Sequence, residues 1–153
     1  MCANGGSRRW SGRRRGFRPR RPCISATYGI EANILWKEGL GPEWRQYEAI
    51  FPALNASAIG QVSLECANSR VPLSLLKLLC DKELLVGAID VASHEVESPE
   101  VVAMTLKAAL AFTDAERLYP CTNCGMAPLP RAVASGKLRA LAEGAALLRR
   151  ELE

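Results

Sequence analysis

Leu84-Leu85-Val86-Gly87-Ala88-Ile89 is an unbroken apolar run, closed by Asp90. A run of this length without polar alternation marks a strand buried on both faces, as in a parallel sheet. Downstream, Ser98-Pro99-Glu100 opens a helix expected to run to about Phe112, with Ser98 as N-cap and Pro99 in the first helical position. Arg117 to Cys121 reads as another short strand. Arg131 to Glu151 reads as a long final helix, with Leu138, Leu141, Ala145 and Leu148 at helical spacing. Upstream, Val71 to Asp81 reads as a short helix with Leu75, Leu76 and Leu79 on one side, preceded by a strand at Gln61-Val62-Ser63-Leu64-Glu65. Pro42 to Ala56 reads as a helix carrying Trp44, Tyr47 and Phe51, and a first short strand is expected near Ile24–Ile30. Strands alternating with helices imply an α/β fold with a parallel sheet and right-handed crossovers. Four such units make half of an eight-stranded barrel or a small open sheet. Either gathers ligands at the carboxyl ends of its strands, where this chain has Glu65, Asp90 and the turn from Cys121 to Cys124.

The 153 residues suffice for about one domain, and 48% apolar residues are enough for a core. No apolar run reaches the roughly 18 residues of a membrane span, and the Arg-rich start has no apolar segment behind it to make a secretory signal. The six cysteines lack framework spacing, so a reduced, cytoplasmic chain is expected. The net charge of +4 conceals two parts. Residues 1–21 hold eight arginines and no acid, leaving 12 basic and 16 acidic side chains in the other 132 residues, a balance of −4. Residues 1–27 show no periodicity and have Trp10 and Phe17 as their only large aromatics; they are expected to form a disordered basic leader.

A carboxylate at a strand end, such as Glu65, can ligate a metal, bind an amine or act as a base. The blander reading is a solvated or Arg-paired acid. Asp90 reads more readily as a cap or salt-bridge partner of its loop. Cys121 and Cys124 form a CxxC spacing with three readings. A redox pair would begin a helix, but Pro128 and Pro130 delay the next one. A structural four-thiolate zinc site would need a second CxxC, which the chain lacks. A single thiolate ligand working with Glu65 is the third reading. His94, the sole histidine, reads as a surface residue rather than a substitute ligand. Trp36, Trp44 and Tyr47 read as packing residues. Asn68 and Asn123 flank Glu65 and Cys124, either as hydrogen-bond donors that orient those ligands or as ordinary turn residues.

Three tracts in order carry a resemblance. They are Val62-Ser63-Leu64-Glu65-Cys66-Ala67-Asn68; Val86-Gly87-Ala88-Ile89-Asp90 followed by Glu95-Val96-Glu97-Ser98-Pro99-Glu100; and Pro120-Cys121-Thr122-Asn123-Cys124-Gly125-Met126. Together they resemble the carboxyl-terminal catalytic barrel of cobalamin-independent methionine synthases, nearest to the single-barrel type, from Tyr28 to the C-terminus. The resemblance implies that residues 28–153 are the carboxyl-terminal half of a (β/α)8 TIM barrel. It implies one zinc ion, with Glu65 and Cys124 among its ligands and Cys121 a bystander. It implies methyl transfer from 5-methyltetrahydrofolate or a related donor to homocysteine, a homocysteine S-methyltransferase activity. Zinc suits such chemistry because it deprotonates a coordinated thiol beside the methyl donor.

The chain also departs from the family. Where the family has His-x-Cys, this chain has Cys23-Ile24-Ser25. Cys23 is a weak substitute ligand and Ser25 a poor one. The family's first half-barrel, with its amino-acid and folate groups, has no counterpart. A one-base frame shift through codons for Val-His-Ile-Cys-Tyr-Gly yields Pro-Cys-Ile-Ser-Ala-Thr, the sequence of residues 22–27; an out-of-frame origin for the leader is expected on that ground. The expectation is a truncated or frameshifted member with an incomplete site, poorly active alone, prone to self-association or to pairing with a missing half-barrel. The competing expectation is a non-catalytic barrel fragment whose leader binds nucleic acid or an acidic partner. A solvated tail is the preferred reading of that leader, no membrane is expected, and the redox reading ranks last.

Overall fold

In the computed structural model, which describes residues 22–26, 43 and 45–153, the apolar run becomes the third of four strands. The strands are β1 (Cys23–Ala26), β2 (Gln61–Glu65), β3 (Glu83–Ile89) and β4 (Leu118–Thr122). They lie side by side in the order β1-β2-β3-β4, and every neighbouring pair is parallel. Helices α1 (Phe51–Ala56), α2 (Pro99–Ala109) and α3 (Arg131–Leu152) and three 3-10 segments (Gln46–Ala49, Leu73–Leu79, Ala115–Arg117) connect and cover them. The architecture is therefore α/β around a parallel sheet. Among the described residues no helix is long and apolar enough to cross a membrane.

The period of two gives the sheet two unlike faces. On one, Val62, Leu64, Leu84, Val86 and Ala88 are at most 2% exposed and share a core with Phe51, Leu75, Leu76, Leu79, Val102, Leu106 and Leu148. Each large side chain buried there contributes about 1.5–3 kcal/mol. The opposite face carries Gln61, Ser63 and Glu65 from β2, Leu85 from β3, and Tyr119 and Cys121 from β4, all half-buried. The register aligns them in rows, Ser63–Leu85–Tyr119 and Glu65–Gly87–Cys121. Lower down, Gln61 Nε2 donates to Glu83 Oε2 at 2.8 Å.

Helices depart from expectation more than strands do. The helix expected over 42–56 is split, and its residues 42 and 44 lie outside those described. Pro52 has no N–H to continue a helix from the 3-10 segment Gln46–Ala49, so α1 starts afresh with that proline in its first turn. The segment expected over 71–81 is a tighter 3-10 turn, Leu73–Leu79, which still buries Leu75, Leu76 and Leu79. Its terminal carbonyls do not face water. Arg117 donates through one Nη to the oxygens of Leu79 (3.3 Å), Lys82 (3.1 Å) and Cys80. Arg117 is thereby drawn out of β4, which begins one residue later than expected. The expected caps of α2 are present: Ser98 Oγ accepts from Val101 N, and Pro99 opens the helix. This helix closes at Ala109 because Ala111 and Phe112 tighten into i→i−3 bonds.

The buried stripe of α3 is also shifted from the expected one. Leu138 is 52% exposed, while Lys137, Ala140, Gly144 and Leu148 are buried. Two local causes set this phase. Lys137 finds a carboxylate and carbonyls inside, and Gly144 lets α2 come close: a Cβ there would stand 2.6 Å from both Pro99 O and Val102 Cβ. Residues 27–30 of the expected first strand, Trp36 and the leader lie outside the described residues, apart from Pro22 and β1. Cys23, Cys66, Cys121 and Cys124 are free thiols.

Candidate functional site

The carboxyl ends of β2, β3 and β4 carry the chemistry. Glu65 is the last residue of β2 and pairs in register with Gly87, whose neighbour on β4 is Cys121. Cys124 lies two residues beyond β4 in a turn closed by Thr122 Oγ1 donating to Cys124 O at 2.8 Å. Asn123, between them, is 6% exposed and joins the two outer strand exits. Its N–H donates to Ile89 O at 3.0 Å. Its Oδ1 accepts from Cys66 N and Ala67 N, each at 3.3 Å, and its Nδ2 donates to Ala67 O at 2.8 Å. The side chain crosses over Gly87, where a Cβ would stand 2.5 Å from Asn123 Oδ1 and 2.8 Å from Leu64 O. A glycine interrupting an apolar strand signals such a close approach. That signal in the sequence gave no role to Gly87.

Asn68 does for β2 and β3 what Asn123 does for β2 and β4. It sits in the left-handed region (φ 50), which Asn tolerates, and its Nδ2 donates to Asp90 Oδ2 at 3.0 Å. Asp90 Oδ1 accepts from Ala92 N at 2.9 Å, and the Asp90 N–H donates to Glu97 Oε1 at 2.9 Å. Asp90 is therefore a loop cap, the blander of its readings. Lys137 reaches the same loop from α3. Its wholly buried ammonium donates to Asp90 O (2.9 Å), to Glu95 O and to both Glu97 oxygens (2.9 and 3.0 Å). The readable sign of this pair was a lysine inside an apolar helical stripe, with an acid just before the Ser98 cap.

Two thiols beside Glu65 are held protonated. Burial, with Cys121 and Glu65 nearby, pushes the Cys66 thiol up to about 12 against a weaker opposing effect of its contact with the Gly87 backbone. Burial also raises Cys121, partly offset by Ser63, whose Oγ lies 3.7 Å from its sulfur. A protonated thiol is a poor nucleophile and a poor ligand. Cys23 opens β1, exposed and level with Gln61. That register sets it four residues, about 13 Å of strand, short of Glu65. His94 is exposed in the loop after β3. Among the described residues no group of three or more His, Cys, Asp or Glu side chains could hold a metal ion. Glu65 and Cys124 are thus carried on strand exits that Asn123 ties together.

Comparison with known proteins gives consistent likenesses. The family pattern described as "Cobalamin-independent synthase, Catalytic domain" matches residues 45–147. A methionine synthase of Thermococcus kodakarensis is 35% identical over 117 residues, which are 76% of this chain and 35% of that protein. One of Pyrococcus horikoshii is 32% identical over 132 residues, 86% of this chain and 39% of that protein. The solved structure of a B12-independent methionine synthase from Shewanella sp. W3-18-1, in complex with selenomethionine, superposes with a TM-score of 0.82 at 55% identity. That match covers 85% of this chain and 39% of the Shewanella chain. The chain spans little more than a third of the length of these relatives.

Proposed function

The chain belongs to the cobalamin-independent methionine synthase family through its catalytic domain, and from that premise we propose that its chemistry is zinc-dependent methyl transfer to homocysteine. The methyl donor is 5-methyltetrahydrofolate or a related compound, and the compartment is the cytoplasm. In this reading residues 28–153 form the carboxyl-terminal half of an eight-stranded barrel, and residues 1–27 are a separate leader. The polar sheet face bearing Ser63, Glu65, Tyr119 and Cys121 is the barrel's interior, as its half-buried polar rows suggest. The observation that carries the reading is the joining of the Glu65 and Cys124 strand exits through Asn123.

The donor set does not fit a zinc ion by itself. A catalytic zinc takes three protein ligands and keeps one open position, and the described residues offer no such group. Glu65 and Cys124 are this chain's share of the coordination, Cys23 is a weak substitute, and two donors do not support turnover. The chain alone is therefore inactive or nearly so. A grafting experiment tests the reading. The chain carrying Cys23→His and Ser25→Cys is co-expressed with the amino-terminal portion of the Thermococcus kodakarensis relative. Methionine formation from homocysteine should appear with stoichiometric zinc, and both should vanish on Cys124→Ser or Glu65→Ala. Methionine formation that survives either substitution would overturn the assignment.

A further inference from the structure

The family's metal and this chain's donors disagree, and the hydrogen bonds at the strand exits show what holds the site's framework instead. We infer that the carboxyl-end framework of this domain is closed by a metal-independent polar collar, with Asn123 as the positioning residue that fixes the Glu65 tract relative to the Cys124 turn. The collar is continuous. Asn123 joins the β4 exit to Cys66 and Ala67 at the β2 exit, each of its bonds one peptide from Glu65, Cys124 or the residue beyond. Asn68 joins the β2 exit to Asp90 at the β3 exit. Glu97 and Lys137 then anchor Asp90 to α3 through its N–H and its carbonyl.

Asn123 is buried and uses its side-chain oxygen twice and its amide nitrogen once; the Cys66 and Ala67 N–H groups also donate to Gly87 O at 3.1 and 2.8 Å, so its removal takes away their second acceptor and the side-chain donor to Ala67 O. Structural zinc sites differ in this respect: there the metal itself supplies the energy that holds the ligands' loops. The inference rests on the family reading only for the expectation of zinc; the hydrogen bonds stand without it.

The test uses the full chain, melted with one equivalent of ZnCl2, with EDTA, and with neither. The three melting temperatures should agree within about 1 °C, because a ligand that does not bind the folded state does not shift it. Asn123→Ala should lower the melting temperature by roughly 2–4 °C. Far below the melt it should also speed alkylation of Cys124 by iodoacetamide roughly tenfold relative to exposed Cys23, with Cys66 still protected. A merely structural loss would expose Cys66 as well. Asn123→Asp keeps both acceptor bonds but loses the donor to Ala67 O, so it should restore only part of the protection; it also serves if the alanine variant does not fold. Stabilisation by zinc, destabilisation by EDTA, or unchanged Cys124 alkylation in both Asn123 variants would overturn the collar. Failure of the grafting experiment alone would overturn the family chemistry and leave the collar standing.

Discussion

Gly87 carries no side chain, and Asn123 occupies the space one would need. Gly87→Ala sets a Cβ against Asn123 Oδ1 and against the Leu64 carbonyl, which is backbone and cannot swing away. The expected loss is about 2–3 kcal/mol by urea denaturation. Lys137 and Glu97 form a second sensitive pair, at 0% and 14% side-chain exposure. Glu97→Ala strands a buried ammonium and removes the acceptor of the Asp90 N–H, so roughly 3–5 kcal/mol should be lost in the same assay. Cys66 gives a pH signature. Its thiol, ordinarily near 9, is raised to about 12 by burial. Unfolded chains lose that proton before folded ones, so the stability is fully present below about pH 9. It declines by at most about 1.4 kcal/mol per pH unit as pH rises toward 12. Alkaline denaturation of Cys66→Ala should show a flatter limb; an unchanged limb would remove Cys66 as its cause. Little of this was legible in the sequence. Asn123 and Asn68 stood out only as flanking residues, because their partners are backbone groups of other strands that the one-dimensional order does not reveal.

Strands proved more readable than helices. The run 84–89 and the Gln61–Glu65 tract carry their own signatures, and β2 has the bounds expected of it. Helix limits depended on Pro52 and on the capture of carbonyls by Arg117, which periodicity does not register. The phase of α3 went astray for a related reason. Hydropathy puts Leu138 inward and Lys137 outward, whereas a buried carboxylate reverses them. The packing of α3 on α2 makes a prediction with opposed terms. Gly144→Ala gains up to about 1 kcal/mol of helix propensity. It also drives a methyl to 2.6 Å from Pro99 O, so a net loss of roughly 1–2 kcal/mol should appear in the thermal melt. Leu138→Lys should stay within about 0.5 kcal/mol of the parent, since that side chain is half exposed.

Across the whole molecule, alternating strand and helix signals specify a parallel sheet, and its two faces follow from the period of two. The apolar face is a finished core; the polar face carries the residues on which the family's chemistry is proposed to depend. Three short tracts sufficed to identify the family, because they encode strand exits of a fold shared with a solved relative more than twice as long. The departure from the family's His-x-Cys was legible as well, in the Cys23-Ile24-Ser25 tract, and the register of β1 sets Cys23 level with Gln61. The central proposal is that Glu65 and Cys124, held on joined strand exits, are this chain's share of a metal site and do not retain the ion by themselves. Zinc content of the purified full-length chain, measured by plasma mass spectrometry after dialysis against metal-free buffer, tests it most directly. The account predicts far less than one zinc per chain. One retained zinc per chain, lost on Cys124→Ser or Glu65→Ala, would contradict it.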